Sequence, residues 1–401
     1  MSILSQKLNS FKPSLTVKIS QKARELKLQG KQIISLSSGE PDFDTPEHIK
    51  EQAIRSINEG FTKYTAVDGV LELKEAIKEK FINENKINYT TNQITVGVGG
   101  KHVIYNLFMS TINNLDEVII PSPYWVSYPD IVSLCGGFPR IVKTNVENNF
   151  KLTPDKLEKN INRKTKWLII NSPSNPTGAV YSKDELLELS RILLKYKNVW
   201  ILTDDIYEHL IYDKYDFLNI LNVEPKLFDR TFIVNGVSKA FSMTGWRIGY
   251  GAGPEIIVKS ISKIQSQSTT NPCSISQMAA LTALNSKKLF LNEWLSEFIQ
   301  RRNFVVDYLN KIDGLNCLMP QGAFYVFVSC AGLINKKTPN GKKIINDIDF
   351  ADYLIEYAGV AVVPGSAFGS SPYFRISYAA SMKLLTNACE KIYHAISLMK
   401  D

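Results

Sequence analysis

The 401-residue chain is poor in the residues that build disulfide frameworks and metal centres. Its five cysteines (Cys135, Cys273, Cys317, Cys330 and Cys389) are odd in number and contain no Cys-x-x-Cys pair. That pattern excludes a zinc ribbon and predicts reduced thiols in a cytoplasmic compartment. The four histidines, His48, His102, His209 and His394, have no metal-ligand spacing, and no Gly-x-Ser-x-Gly elbow occurs. No metal site is expected, and the chemistry must rest on something other than histidine. No apolar run approaches ~18 residues, so no membrane span is predicted. The opening Met1-Ser-Ile-Leu-Ser-Gln-Lys lacks the apolar core of a secretory signal. There is no Lys/Arg run of five. The net charge of +8 therefore reads as scattered, solvated lysines, with a slight preference for acidic small molecules and no nucleic-acid partner. No internal repeat stands out.

What is present is the pattern of a soluble enzyme. At ~150 residues per domain, the length implies two or three domains. Short apolar runs recur at 94–98, 117–120, 139–142, 167–170, 199–202, 231–234 and 248–251. Several are continuously apolar rather than alternating, as strands buried on both faces are. Helical patterns such as 101–112 and 183–195 lie between them, which argues for an α/β domain with a mostly parallel sheet. Asp44-Thr45-Pro46-Glu47 predicts a helix start, with a capping residue before a proline at the first helical position and Gly60 as the stop. From Cys273 to Leu309 the pattern is long and helical. Beyond it, strand-like 322–328, helical 350–357, strand-like 360–364 and helical 382–399 form a mixed segment, interrupted by a polar surface loop at 335–346. The expected organisation is an N-terminal segment, 1–45, packing on a small α+β domain, 296–401, with a large domain at 46–295.

Four motifs lie at the ends of predicted strands. Val96-Gly-Val-Gly-Gly-Lys101 ends a strand and opens a helix, where free N–H groups suit a phosphate; a plain tight turn reads equally well. It fits neither the dinucleotide fingerprint nor the Walker A loop, because His102 follows Lys101. Asn171-Ser-Pro-Ser-Asn-Pro-Thr-Gly178 follows the buried run 167–170, at the sheet edge where ligands bind in open α/β folds. Thr203-Asp-Asp-Ile-Tyr207 places Asp204 and Tyr207 on one side of a helical turn. Ser238-Lys239-Ala-Phe-Ser-Met-Thr-Gly-Trp-Arg247 follows the run 231–234, and a lysine there forms a Schiff base if its ammonium pKa is depressed. Lysine, aspartate, tyrosine and asparagine at successive strand ends are the groups a pyridine aldehyde needs.

Together with Ser38-Gly-Glu-Pro-Asp-Phe-Asp-Thr-Pro46, the last three of these, as Asn175-Pro-Thr-Gly178, Asp204-Asp-Ile-Tyr207 and Ser238-Lys239 to Gly245-Trp-Arg247, make four motifs that resemble in order the class I aminotransferases, pyridoxal-phosphate enzymes of fold type I. The bacterial aspartate aminotransferase branch, some members of which also use prephenate, is the most similar. The resemblance implies a large domain with a mostly parallel seven-stranded sheet and a smaller α+β domain. It implies transfer of an amino group between L-aspartate and 2-oxoglutarate by ping-pong kinetics. Alternatives on the same fold are an aromatic or broad-specificity aminotransferase, or a C–S lyase.

Carried over, Lys239 is the Schiff-base lysine and Asp204 holds the pyridinium proton. Tyr207 and Asn175 bond the ring oxygen, and Trp125, in Pro121-Ser-Pro-Tyr-Trp-Val-Ser-Tyr128, stacks on the ring. Gly99, Gly100, the Lys101 amide, Ser238 and Arg247 take the phosphate. Tyr64 reaches the phosphate of a neighbouring subunit, which implies a homodimer with shared sites. Arg375, Asn175 and the Gly39 amide receive the substrate α-carboxylate, and Trp125 also orients the substrate. Lys101, Ser14 and Thr16 meet its distal carboxylate. Lys12 either meets a bulkier keto acid such as prephenate or is a plain surface lysine. The chain departs from many relatives at Gly236, where they carry Ser or Thr.

Overall fold

The computed structural model describes residues 3–5, 8 and 15–400, with Thr16 and Ser20 described in their backbone alone. The calls on Lys12 and Ser14, and on the Thr16 side chain, lie outside the described residues.

Thirteen strands are present among these residues. In chain order they are β1 (Ile34–Ser35), β2 (Ile94–Gly97), β3 (Glu117–Ser122), β4 (Phe138–Lys143), β5 (Thr165–Asn171), β6 (Trp200–Asp204) and β7 (Thr231–Gly236). Then come β8 (Gly249–Ala252), β9 (Asn316–Cys317), β10 (Tyr325–Ser329), β11 (Val360–Ala361), β12 (Val363–Pro364) and β13 (Tyr373–Ser377). The seven predicted runs form one sheet in the order β2-β8-β7-β6-β5-β3-β4. All neighbours are parallel except those of β8. Continuous apolarity has a simple cause here: successive side chains point to opposite faces, and both faces are covered. Trp167 and Ile169 of β5 pack with the helices Gly100–Thr111 and Glu255–Ser266. Leu168 and Ile170 pack on the other side with Lys183–Lys195 and Ser274–Asn285. The helix Lys183–Lys195 starts where Ser182 and Glu185 form a reciprocal capping box.

The predicted helix at 47 starts differently. Pro46 is itself the N-cap of Glu47–Asn58, and no side chain caps it. Thr45 is engaged elsewhere: its Oγ1 donates to the Ser242 carbonyl at 2.8 Å and accepts from Trp246 Nε1 at 3.1 Å. Gly60 follows that helix with φ +75°, as a stop requires.

The second sheet is antiparallel, in the order β12-β13-β10-β9. Its apolar face carries Val326, Val328, Phe374 and Ile376, covered by Phe298, Val305 and Leu309 of the helix Phe290–Leu309 and by Met382–Ser397. That long helix crosses position 295, with Leu291 in the first core and Phe298 in the second. The predicted strand at 360–364 breaks at Val362. Its first half, β11, pairs in parallel with β1, and its second half, β12, joins the second sheet. The predicted helix at 350–357 begins earlier, at Asp347, capped by Asn346, and ends in a wider π turn, Leu354–Ala358. Ile19, Ala23 and Ile33 pack on Ile355 and Ala361, so the start of the described chain lies against its C-terminal part.

Candidate active site

A cavity of about 240 Å³ opens between the two sheets, beyond the carboxyl ends of β5, β6 and β7. Strand ends at such a sheet edge are where open α/β folds bind ligands. Asp204 is the last residue of β6 and is buried. The Tyr128 hydroxyl donates to its Oδ2 at 2.6 Å, and the Ile206 N–H faces Oδ1 at 3.4 Å. Burial raises the carboxyl pKa, while the Tyr128 hydrogen bond, the Ile206 N–H and the Lys239 charge pull it down. The segment after Asp204 forms hydrogen-bonded turns rather than a helix. These turns carry Tyr207, whose hydroxyl lies 2.7 Å from that of Tyr325. The next residue, Glu208, fastens the segment: it is buried, ion-paired with Lys80, and accepts hydrogen bonds from Asn85 and Asn235.

Lys239 lies three residues beyond β7, and its Nζ donates to the Gly39 carbonyl. Desolvation pushes its ammonium down to about 8, with Arg375 and Arg247 acting in the same direction and Glu40 and Asp204 opposing them. The amine therefore loses its proton far more readily than an exposed lysine and is partly neutral and nucleophilic near physiological pH.

Arg375 projects from the middle of β13, from the face opposite Phe374 and Ile376. Its Nη1 donates to Asn175 Oδ1 at 2.9 Å and its Nη2 to the Ser37 carbonyl at 2.8 Å. The guanidinium lies between the rings of Tyr325 and Phe368, at 4.3 and 5.0 Å. Its Nε is buried with no hydrogen-bond partner among the described residues. Asn175 is held in turn by Asn171, whose Oδ1 accepts from the Asn175 N–H at 2.9 Å and whose Nδ2 donates to the Asp204 carbonyl at 2.8 Å.

The opposite end is a cradle of glycines. Gly99, at φ +81°, is the N-cap of Gly100–Thr111. The first N–H groups of a helix have no acceptor within it. A Cβ on Gly249 would lie 2.2 Å from the Gly100 nitrogen, so only glycine lets β8 approach this turn. Arg247 borders the cradle, donating to the Thr244 carbonyl at 2.7 Å. Gly236 is also packed: a Cβ there would lie 3.0 Å from both Gly249 Cα and the Ile248 carbonyl, which accounts for the departure seen in sequence. Trp125 forms a wall, with Lys101 Nζ 5.1 Å from its ring centroid.

Residues 31–392 match the aminotransferase class I and II family. The chain belongs to that family. This aminotransferase is 55% identical over 399 residues to a probable aspartate/prephenate aminotransferase of Rickettsia typhi, with each chain covered in full. It is 53% identical to an aspartate/prephenate aminotransferase of Cereibacter sphaeroides, over 98% of both chains. Among solved structures it is similar to the aspartate aminotransferase of Rhizobium meliloti, with a TM-score of 0.97, 49% identity and full coverage of both chains. It is also similar to that of Thermus thermophilus with maleate, with a TM-score of 0.92 and 40% identity, covering 98% of this chain and 100% of that one. The resemblance seen in the sequence and the fold type it implies are thereby established.

Of the residues singled out in this aminotransferase's sequence, Gly39, Gly100, Lys101, Trp125, Asn175, Asp204, Tyr207, Ser238, Lys239, Arg247 and Arg375 all line the one cavity. Gly99 lies beside it under Arg247, where a Cβ would come 2.4 Å from Nη2. Tyr64 does not line it and stands 87% exposed in the single chain. Tyr128, Asn171 and Tyr325 line the cavity and were missed. Asn171 opens and Tyr128 closes a motif already quoted, so their position was a usable signal. Glu84, Glu208 and His209 cluster closely enough to suggest a metal site, but their carboxylates are already paired with Lys80 and Lys288.

Proposed function

We propose that the chain is a pyridoxal 5′-phosphate-dependent aspartate aminotransferase that exchanges the amino group between L-aspartate and 2-oxoglutarate and also accepts prephenate. The observation that carries the reading is Lys239, an amine brought to about 8, set in one cavity with the buried Asp204 and the carboxylate-seeking Arg375. The residues fit the coenzyme. The glycine cradle, Ser238 and Arg247 suit a phosphate, Asp204 a ring nitrogen, Tyr207 and Asn175 a ring oxygen, and the Trp125 face the ring itself. Arg375 lines the cavity and brings its guanidinium to a substrate carboxylate.

When bound, the coenzyme supplies an aldehyde and a cationic ring that withdraws electrons from the substrate's Cα. Asp204 holds the proton on the ring nitrogen, and Tyr128 keeps the carboxylate oriented by donating to it. The Lys239 amine would take up and move the proton that Cα loses. Arg375 and Asn175 fix the α-carboxylate, and Trp125 confines the ring, so that the Cα–H bond is held in one orientation. Lys101 lacks a salt-bridge partner among the described residues and faces the cavity, in reach of a second carboxylate.

The prephenate reading is supported by the names of the relatives. The exposed Tyr64 supports a homodimer in which each subunit contributes this residue to its neighbour's phosphate site. Five thiols without a disulfide support a cytoplasmic setting, and no described helix is long and apolar enough to cross a membrane.

The test is Lys239→Ala. The variant is expected to fold, to retain coenzyme non-covalently and to lose transamination. Turnover near the wild-type rate refutes the assignment. Ammonia and pyruvate from a thioether amino acid would identify a C–S lyase instead.

A further inference from the structure

Tyr325 stands between two groups the proposed reaction uses, and no motif pointed to it. It opens β10 and is fully buried. Its hydroxyl is 2.7 Å from the Tyr207 hydroxyl, and the Arg375 guanidinium lies 4.3 Å from its ring centroid. Tyr207 follows a strand of the seven-stranded sheet, whereas Tyr325 and Arg375 belong to paired strands of the second sheet. The contact therefore crosses from one sheet to the other. Gly39 leaves room for it, since a Cβ there would come 3.2 Å from the Tyr325 hydroxyl oxygen.

Each phenol has one hydrogen to donate and can also accept. Two hydroxyls facing each other share one hydrogen, so the direction of the bond depends on what else each one faces. If Tyr207 gives its hydrogen to a ligand oxygen in the cavity, it must accept from Tyr325. The Arg375 charge over the Tyr325 ring favours that direction, because a nearby cation makes a phenol a better donor. Receiving a hydrogen bond polarises the Tyr207 O–H and strengthens its own donation. Resting on the coenzyme reading above, we propose that Tyr325 is a positioning residue: it donates to Tyr207, frees the Tyr207 hydrogen for the coenzyme's ring oxygen, and joins the carboxylate-binding arginine to the coenzyme through one hydroxyl pair.

Tyr325→Phe tests this, because it keeps the ring beneath Arg375 and removes only the hydroxyl. Wild type, Y325F, Y207F and the double variant are compared in two forms. The coenzyme-loaded enzymes are followed by pH titration of the visible absorbance, and the coenzyme-free proteins by thermal unfolding. A weaker donor to the ring oxygen favours its anionic form less. The Y325F midpoint is therefore expected to rise by about half a unit to one unit, the worth of one hydrogen bond. The double variant is expected to titrate like Y207F. In Y325F, kcat falls roughly threefold to tenfold while KM for the amino acid changes less, because Arg375 keeps its platform. In the coenzyme-free proteins the two hydroxyl deletions are non-additive in Tm. A Y325F enzyme that titrates at the wild-type midpoint, or deletions that simply add, overturns the inference alone. A wild-type chain that takes up no coenzyme defeats the functional reading and this inference together.

Discussion

Arg375→Lys probes the carboxylate end of the cavity. The arginine spends two of its donors inside the protein, on Asn175 Oδ1 and the Ser37 carbonyl. Its plane is clamped between Tyr325 and Phe368. Lysine keeps the charge but offers three donors on one atom, which cannot serve both internal acceptors and a carboxylate fork together. Loss of one charge-assisted bond to the substrate amounts to ~1.5–3 kcal/mol, or roughly ten- to a hundredfold in kcat/KM. An internal acceptor left without its donor lowers stability by a further ~1–3 kcal/mol. The assay is oxaloacetate formation from aspartate across a substrate series, with denaturant unfolding in parallel. Arg375 is not assigned to holding the coenzyme, so the amount of coenzyme bound should not change. A variant within threefold of wild type in kcat/KM, or one whose loss traces to missing coenzyme, refutes the assignment.

Lys239 predicts a pH dependence in the coenzyme-free protein. Its folded-state pKa of about 8 lies below the usual 10.5, so between those values the unfolded chain binds more protons. Stability therefore rises with pH across that window, by at most about 3 kcal/mol before solvent screening. Lys239→Met should lose that rise relative to wild type in urea unfolding at pH 7.5 and 10; an unchanged difference rejects the burial argument. Gly249→Ala forces a methyl against the Gly100 nitrogen, 2.2 Å away. Overpacking of this kind costs about 1–3 kcal/mol and should also weaken coenzyme binding, read by equilibrium dialysis; unaltered affinity would show that the cradle is not a phosphate site.

Legibility followed locality. The seven runs of the main sheet stood out because both faces of the sheet are covered, so apolarity alone marked them. Most of the site residues stood out because their motifs end strands at the same sheet edge. Features set by distant partners could not be seen. Thr45 looks like a cap until Ser242 and Trp246, almost two hundred residues on, claim its hydroxyl. Tyr325 looks like an ordinary strand residue until Tyr207, 118 residues earlier, meets its hydroxyl. The break at Val362 has no local sign, because both halves are apolar and only their pairing with different strands separates them. Tyr64 carries no signal within a single chain, since its proposed use needs a second copy.

The carboxylate clamp closes between Ser37 and Arg375, 338 positions apart. At roughly 5–20 residues per second on the ribosome, tens of seconds separate the emergence of its two sides. Every strand of the seven-stranded sheet has left the tunnel well before Arg375 appears. A nascent chain can thus assemble the half proposed to grip the coenzyme while it still lacks the arginine proposed to fix the amino acid's carboxylate. Truncation anywhere before β13 would leave that half without its guard.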